Sequence, residues 1–317
     1  MRFIAQFSKQ HDELPLAELG SVLGSEQSDF CFVESLGSGV VFESGMVDFS
    51  RLAFTREVSE LVSRADLGGL GALGSDVPSF EGSFAVRCKV LDGKDYDTGG
   101  LESRIGEVVE DASGNGVDLD SPDEVFYAYV YQGEVFLGRR VWERGSFEDR
   151  RSHLRPFSSP VSMHPKLARA LVNLSGAEPG STILDPMCGT GGILIEAGLV
   201  GFKPYGLDIE EEMVEGAREN LEHYGVSAEL RRGDVRNASD FFDRRFDAVV
   251  CDLPYGRASR TEGEKDELIQ AFLREARKLS CGRIVFMSDR EKIRDLEPEF
   301  EIYVHSSLTR YIYVLDG

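Results

Sequence analysis

Residues 181–200 read STILDPMCGTGGILIEAGLV, and the fold of the second half of the chain turns on this stretch. Thr182-Ile-Leu-Asp185 has the length and apolar content of a buried strand, and GGILIEAGLV that of a helix packed on a sheet. Between them lies a turn rich in glycine, LDPMCGTGG (184–192). Glycines there let the backbone approach a ligand closely, and the helix start offers unpaired N–H groups. The turn is not the dinucleotide G-x-G-x-x-G and carries no Walker lysine. A tight strand-to-helix connection with no ligand is the alternative reading of the turn taken alone.

Downstream, strand-like and helix-like patterns alternate. KPYGLDI (203–209), AELRRGD (228–234), FDAVVCDLP (246–254) and GRIVFMS (282–288) read as strands. EEEMVEGARENLEHYG (210–225) and DELIQAFLREARKL (266–279) read as helices, and HPKLARALVNL (164–174) as a helix ahead of the first strand. EIYVHSS and TRYIYVL close the chain as a hairpin. The pattern predicts an α/β fold: a seven-stranded, Rossmann-like doubly wound sheet with one antiparallel strand brought in by that hairpin.

Upstream, SFEDRRSHLRPFSSP is charged and bounded by proline, and residues 151–160 read as a linker. Before it, MRFIAQFS, FCFVES, GVVFES, SFAVRCKVL, EVFYAYVY and EVFLGRRVW read as strands, with Gln132-Gly133 turning the last two into a hairpin. PLAELGSVLG and GLESRIGEVVEDA read as helices, and REVSELVSRA (56–65) as a third. Two small α+β units result, residues 1–70 and 71–150, ahead of the Rossmann-like domain at 161–317.

No apolar run reaches the roughly 20 residues that span a bilayer, and the start has no signal-like apolar core, so a soluble cytoplasmic chain is expected. The five cysteines are widely spaced with no C-x-x-C, and the histidines show no ligand spacing, which argues against a disulfide framework or a metal site. The chain is read as a monomer. Net charge is −21, with 8 Lys against 27 Arg, and residues 1–155 and 156–317 are both acidic. A nucleic-acid binder is ordinarily basic. A cytosol of molar salt would reconcile the two, because at about 1 M the Debye length is only about 3 Å and long-range repulsion is screened.

Chemistry enters at the strand ends. Asp208 ends the second strand of the catalytic half, where a carboxylate can hold both ribose hydroxyls. Asp234 ends the third, where one can meet an adenine amino group. A lone strand-end aspartate is more often a helix cap, but the ordered set, with the glycine turn before it, describes a site for an adenosine that carries no phosphate. DLPYG (252–256) ends the fourth strand. An amine conjugated to a purine is a poor nucleophile. Asp252 and the Leu253 carbonyl can accept its two protons and aim the nitrogen at a methyl sulfonium, with Pro254 stiffening the turn and Tyr255 stacking on the base.

These residues resemble a known family. LDPMCGTGGILIEA, Asp208, Asp234 and DLPYG, with SSPVSMHPKLARALVNLSG (158–176) ahead of them, are similar to the archaeal tRNA guanine-N2 methyltransferases that dimethylate the guanosine at position 10. SFAVRCKV and GVDLDSPDEVFYAYVYQGEVFLGRRV resemble the family's N-terminal ferredoxin-like and THUMP region. The resemblance implies S-adenosylmethionine as methyl donor, tRNA as partner and THUMP-mediated docking. It places Asp185, Gly189, Gly191, Asp208 and Asp234 at the cofactor, with Cys188, Ile209 and Val235 beside them, and Asp252, Pro254 and Tyr255 at the target base. The target guanosine must be unpaired or flipped. The wider pattern often has proline where Leu253 stands; the backbone carbonyl is what matters there.

Arg257 and Arg260 follow the catalytic turn and are candidates for flanking phosphates, or for a solvated loop. Arg139, Arg140, Arg144, Arg150, Arg151 and Arg155 form the densest arginine cluster and line either an RNA path or a solvated face. His164 is either near the cofactor or a polar group at a helix start. Rival readings are methylation of adenine N6 in DNA, of another tRNA or ribosomal RNA guanosine, and a non-catalytic THUMP RNA-binding protein. The composition predicts a halophilic source: tRNA methylation assayed across a KCl series should need molar salt, and full activity and stability at about 0.1 M would contradict this.

Overall fold

In the computed structural model of the protein, which describes residues 1–26, 29–159, 162–254, 262–305 and 308–317, the strands form two seven-stranded sheets. The chain divides into two units. Met1–Leu16, Gln27–Ser50 and Phe54–Gly145 form the first; Ala17–Glu26, Arg51–Ala53 and Ser146–Gly317 form the second.

The elements of the N-terminal half are β1 (Arg2–Phe7), α1 (Leu14–Ser25), β2 (Cys31–Ser35), β3 (Gly39–Glu43), β4 (Thr55–Asp66), β5 (Phe84–Val90), α2 (Thr98–Ser113), β6 (Glu124–Tyr131) and β7 (Glu134–Glu143). Their sheet order is β2-β3-β1-β4-β7-β6-β5, with β5 and β6 parallel and the other neighbours antiparallel. Sequence reading divides this half at residue 70, whereas strands from both sides of that point share one sheet through the β4–β7 pair. α2 is capped by Asp97, which accepts from the Gly100 N–H, and ends on Gly114 in the left-handed region. It covers one face of the sheet, with Leu101, Ile105 and Val109 packed on Phe84, Val86, Phe126 and Leu137.

REVSELVSRA is a strand and not the expected helix. Val58, Leu61, Val62 and Ala65 stand at helical spacing, and β4 accommodates them with two register shifts against β7, at Val58/Ser59 and at Leu61/Ser63. Each shift breaks the period-two alternation by which a strand is recognised. Pairing on both sides, with β1 and β7, then satisfies the β4 backbone.

The second unit continues with α3 (Pro165–Leu174), β8 (Thr182–Asp185), α4 (Gly192–Leu199), β9 (Lys203–Asp208), α5 (Glu211–His223), β10 (Glu229–Arg232), β11 (Ala248–Asp252), α6 (Glu262–Leu279), β12 (Ile284–Ser288), β13 (Phe300–His305) and β14 (Leu308–Leu315). The sheet order is β10-β9-β8-β11-β12-β14-β13. β8 to β12 are parallel to one another, and β14 enters antiparallel between β12 and β13, as the sequence predicts. α6 buries Ile269, Phe272 and Ala276 against Phe246, Val249 and Phe286 on one face. Leu194, Ile195 and Leu221 of α4 and α5 cover part of the other. No helix among the described residues is long and apolar enough to cross a membrane.

Residues 151–159 do not hang free as a linker. Phe157 exchanges hydrogen bonds with the Asn220 side chain at 2.9 and 2.8 Å, and its ring occupies the space that a Cβ on Gly216 would need. Glu196, fully buried on α4, pairs with Arg150 at 2.8 Å and with Arg169 of α3 at 2.7 Å. Arg150, just ahead of this segment, thus ties the chain to the α3–α4 face. Arg51 and Asn173 also meet in this unit, with Asn173 Nδ2 donating to Glu18 at 2.7 Å and to the Arg51 carbonyl at 2.8 Å. Glu196→Ala would strand the buried Arg169 without its counter-charge. Urea unfolding should show a loss of about 3–5 kcal/mol; a loss below about 1 kcal/mol would mean that the charges contribute little.

Candidate active site

The parallel strands of the second unit run out at one edge, and there a cavity of about 440 Å³ opens. That is within the usual range for a small-molecule site. Its walls bring together Asp185, Cys188 and Gly189 from the turn after β8, Asp208 and Ile209 after β9, Asp234 and Val235 after β10, and Asp252 and Pro254 after β11. Gly191 does not line it; with φ of +79° it starts α4, a conformation that costs glycine little. Tyr255, Arg257 and Arg260 lie outside the described residues.

Asp208 ties two tips together. Its Oδ2 accepts from the Gly189 N–H at 2.8 Å and its Oδ1 from the Glu210 N–H at 3.0 Å. Each carboxylate oxygen keeps a further lone pair for a ligand hydroxyl. Asp234 is both a cap and a wall: it accepts from the Arg236 N–H at 2.9 Å and pairs with the Arg236 guanidinium. Ile209, 48 % exposed, and Met213 give the cavity an apolar side. An exposed isoleucine at a cavity mouth suits the face of a flat ring.

Charge in this cavity is lopsided. Asp185, Asp208, Glu210, Asp234 and Asp252 line it, against Arg236. Burial holds the Asp185 carboxyl well above the usual carboxylate range, with the Met187 N–H working against it and Asp252 and Asp208 adding to it. Burial likewise raises Asp252, opposed by Arg310 of β14, which forks onto both of its oxygens. A cavity walled by acidic groups favours a cationic ligand, such as a sulfonium.

Sequence reasoning missed several wall residues: Ser159, Ser162 and Met163 from the segment before α3, together with Glu210, Met213, Arg236 and Leu268. Ser159 falls within the linker reading of 151–160, and Ser162 and Met163 stand just ahead of α3, where no periodic pattern marks them. Arg236 sits two residues beyond a named aspartate, a spacing that would have suggested a pair. Arg310 also went unread, although a lone base in the apolar strand TRYIYVL needs a buried partner.

The arginine cluster does not form one open path. Arg155 is 4 % exposed, its Nε donates to the Arg150 carbonyl at 3.1 Å, and its guanidinium lies against Gly192. Burial takes it away from any surface that phosphates could reach. Arg150 is bound to Glu196 and Arg151 to Glu148. In the first unit Arg139 pairs with Glu124, Arg140 with Glu143 at 3.0 Å, and Arg144 donates to the Thr55 carbonyl at 3.5 Å. His164 caps α3, its Nδ1 accepting from the Lys166 N–H at 3.2 Å, and it is not a cavity wall. Among the described residues no group of three or more His, Cys, Asp and Glu side chains could hold a metal ion.

Residues 152–297 match the RMKL-like methyltransferase domain and residues 73–139 match the THUMP domain. The chain is 40 % identical to the tRNA (guanine(10)-N2)-dimethyltransferase of Methanothermobacter thermautotrophicus, over 100 % of this chain and 99 % of that protein. The chain belongs to the tRNA (guanine(10)-N2)-dimethyltransferase family. A second relative of the same description, from Pyrococcus abyssi, is 39 % identical over 75 % of each chain. The crystal structure of TrmN from Thermus thermophilus superposes with a TM-score of 0.57 at 25 % identity, covering 100 % of both chains. Membership makes S-adenosylmethionine the methyl donor.

The Cys188 thiol, inside the glycine turn, is pushed well above its usual range by burial and by Asp185 and Asp208. A thiol so held is not a nucleophile. Cys188→Ala should therefore keep methyl transfer within about threefold of the parent; loss of turnover with donor affinity intact, measured by calorimetry, would give the sulfur a chemical role.

Proposed function

We propose that this protein methylates the exocyclic N2 of a guanosine in tRNA, at position 10, and adds a second methyl to the first product. The observation that supports this most directly is that Asp252 and Pro254 of DLPYG share one cavity with Asp185, Asp208 and Asp234. The amine-holding turn and the donor-holding tips are thus neighbours.

The residues fit the methyl donor. Asp208 would take the ribose hydroxyls and Asp234 the adenine amino group, Ile209 and Val235 would flank the ring, and the acidic walls would favour the cationic end. When bound, S-adenosylmethionine supplies a methyl group on positively charged sulfur. The remaining work falls to the chain's own groups. Asp252, with 19 % of its side chain exposed, turns a carboxylate edge toward the cavity. Together with the Leu253 carbonyl it accepts the two amine protons and holds the nitrogen in line. The carboxylate also stabilises the charge that builds on nitrogen as the new bond forms. Leu253 is fixed by its own N–H, which donates to the Met287 carbonyl at 2.9 Å. Tyr255 stacks on the base in this reading.

Residues 1–70, 71–150 and 161–317 then correspond to the ferredoxin-like, THUMP and methyltransferase parts, with tRNA engaged by the THUMP part and Arg139, Arg140, Arg257 and Arg260 as candidate phosphate contacts. The acidic, lysine-poor composition fits a monomer that works in the salt-rich cytosol of a halophilic archaeon. The test is nucleoside mass spectrometry of tRNA incubated with the protein and the donor in high salt. N2-methylguanosine followed by N2,N2-dimethylguanosine at position 10 is expected. N6-methyladenosine, or guanosine methylated elsewhere, would reassign the substrate. Asp252→Ala should abolish turnover and leave donor binding within about threefold.

A further inference from the structure

Arg310 lies near the start of β14, is 3 % exposed, and extends its guanidinium to the tip of β11. Nη1 donates to Asp252 Oδ2 at 3.1 Å and Nη2 donates to Oδ1. This is the fork-on-carboxylate geometry that a lysine cannot reproduce.

Topology explains how it gets there. Asp252 stands level with Met287 on β12, and Met287 with Ile312 on β14. Arg310 lies two residues before Ile312, on the same face. Because β14 runs antiparallel, its first residues reach the sheet edge at which the parallel strands end. β12 stops at Ser288, one residue beyond that row, so the side chain passes over the end of β12 to the next strand. A parallel strand at this position would offer its last residues instead.

We propose that Arg310 is a positioning residue for methyl transfer: it fixes the plane of the Asp252 carboxylate, so that the lone pairs it does not occupy face the amine. This rests on the reading of Asp252 given above. A carboxylate has about four acceptor sites, and the guanidinium takes two of them. The remaining ones are then held in a fixed direction, with no rotation about the Asp252 side chain. Among the described residues, burial raises Asp252 and Arg310 from β14 lowers it; Asp252 in turn raises Asp185 at the tip of β8 and the Cys251 thiol beside it on β11, which is itself bound to Asp185. Burial alone would favour the protonated acid. Arg310 is the opposing influence. A protonated Asp252 would present a donor where an acceptor is needed.

The test is the pH profile of kcat for tRNA methylation in the parent, Arg310→Met, Arg310→Lys and Asp252→Asn, with donor affinity measured by calorimetry. In Arg310→Met, Asp252 protonates at higher pH, so the acid limb moves up. Turnover at pH 7 should fall about tenfold or more and recover as pH rises, with donor affinity within about threefold. Arg310→Lys restores charge without the fork and should return the limb most of the way with a reduced plateau. If Arg310→Met does not fold, Arg310→Lys carries the test alone through that lowered plateau. An acid limb and plateau matching the parent in the variants would overturn the positioning role, as would a loss independent of pH. Turnover retained by Asp252→Asn overturns the underlying reading instead, and so the two failures are told apart.

Discussion

Two hydrogen bonds to one carboxylate set the geometry on which the active cavity depends. Asp208 accepts from the N–H groups of Gly189 and Glu210, and so fixes the glycine turn after β8 against the start of the segment after β9. Charge-assisted bonds to backbone donors are among the stronger local restraints available. With that spacing set, the other strand tips follow from the sheet: β10 beside β9 and β11 beside β8, each in parallel register. The cavity is the space left between four tips whose separation the hydrogen-bonded ladder dictates.

The electrostatic character of the site follows from what ends those strands. Carboxylates crowd these neighbouring tips: burial pushes Asp185 and Asp252 up, and Asp252 and Asp208 add to the shift of Asp185. A protein tolerates such crowding where a cation or a guanidinium offsets it. Arg236 faces Asp234 and Arg310 faces Asp252. Between these pairs lies room for a positively charged ligand. The methyl donor of this family is such a ligand, so in the function proposed above one arrangement of acids would both bind the donor and hold the nucleophile.

A strand that carries two register shifts shows how tertiary pairing overrides local pattern. The apolar positions of REVSELVSRA have helical spacing, yet the segment is the central strand between β1 and β7. Nothing in residues 56–65 announces the shifts, because a bulge is set by the partner strand. The segment 151–159 gave the opposite illusion. Charge and proline suggest a spacer, but Phe157, and Arg150 just ahead of the segment, find buried partners on α5 and α4 that are far away in sequence.

From the chain alone one could read the alternating strands and helices of the second half, the glycine turn and the aspartates at strand ends. These depend on local periodicity and on turn chemistry, which are properties of short segments. Tertiary structure alone decided that β4 is a strand, that Arg155 is buried away from solvent, and that Ser159, Ser162 and Met163 wall the cavity. It alone joined Arg310 to Asp252, 58 positions apart. The physical reason is that a partner for a buried charge, or for a bulged strand, is chosen by which backbones the sheet places side by side, and that choice is made across the whole fold.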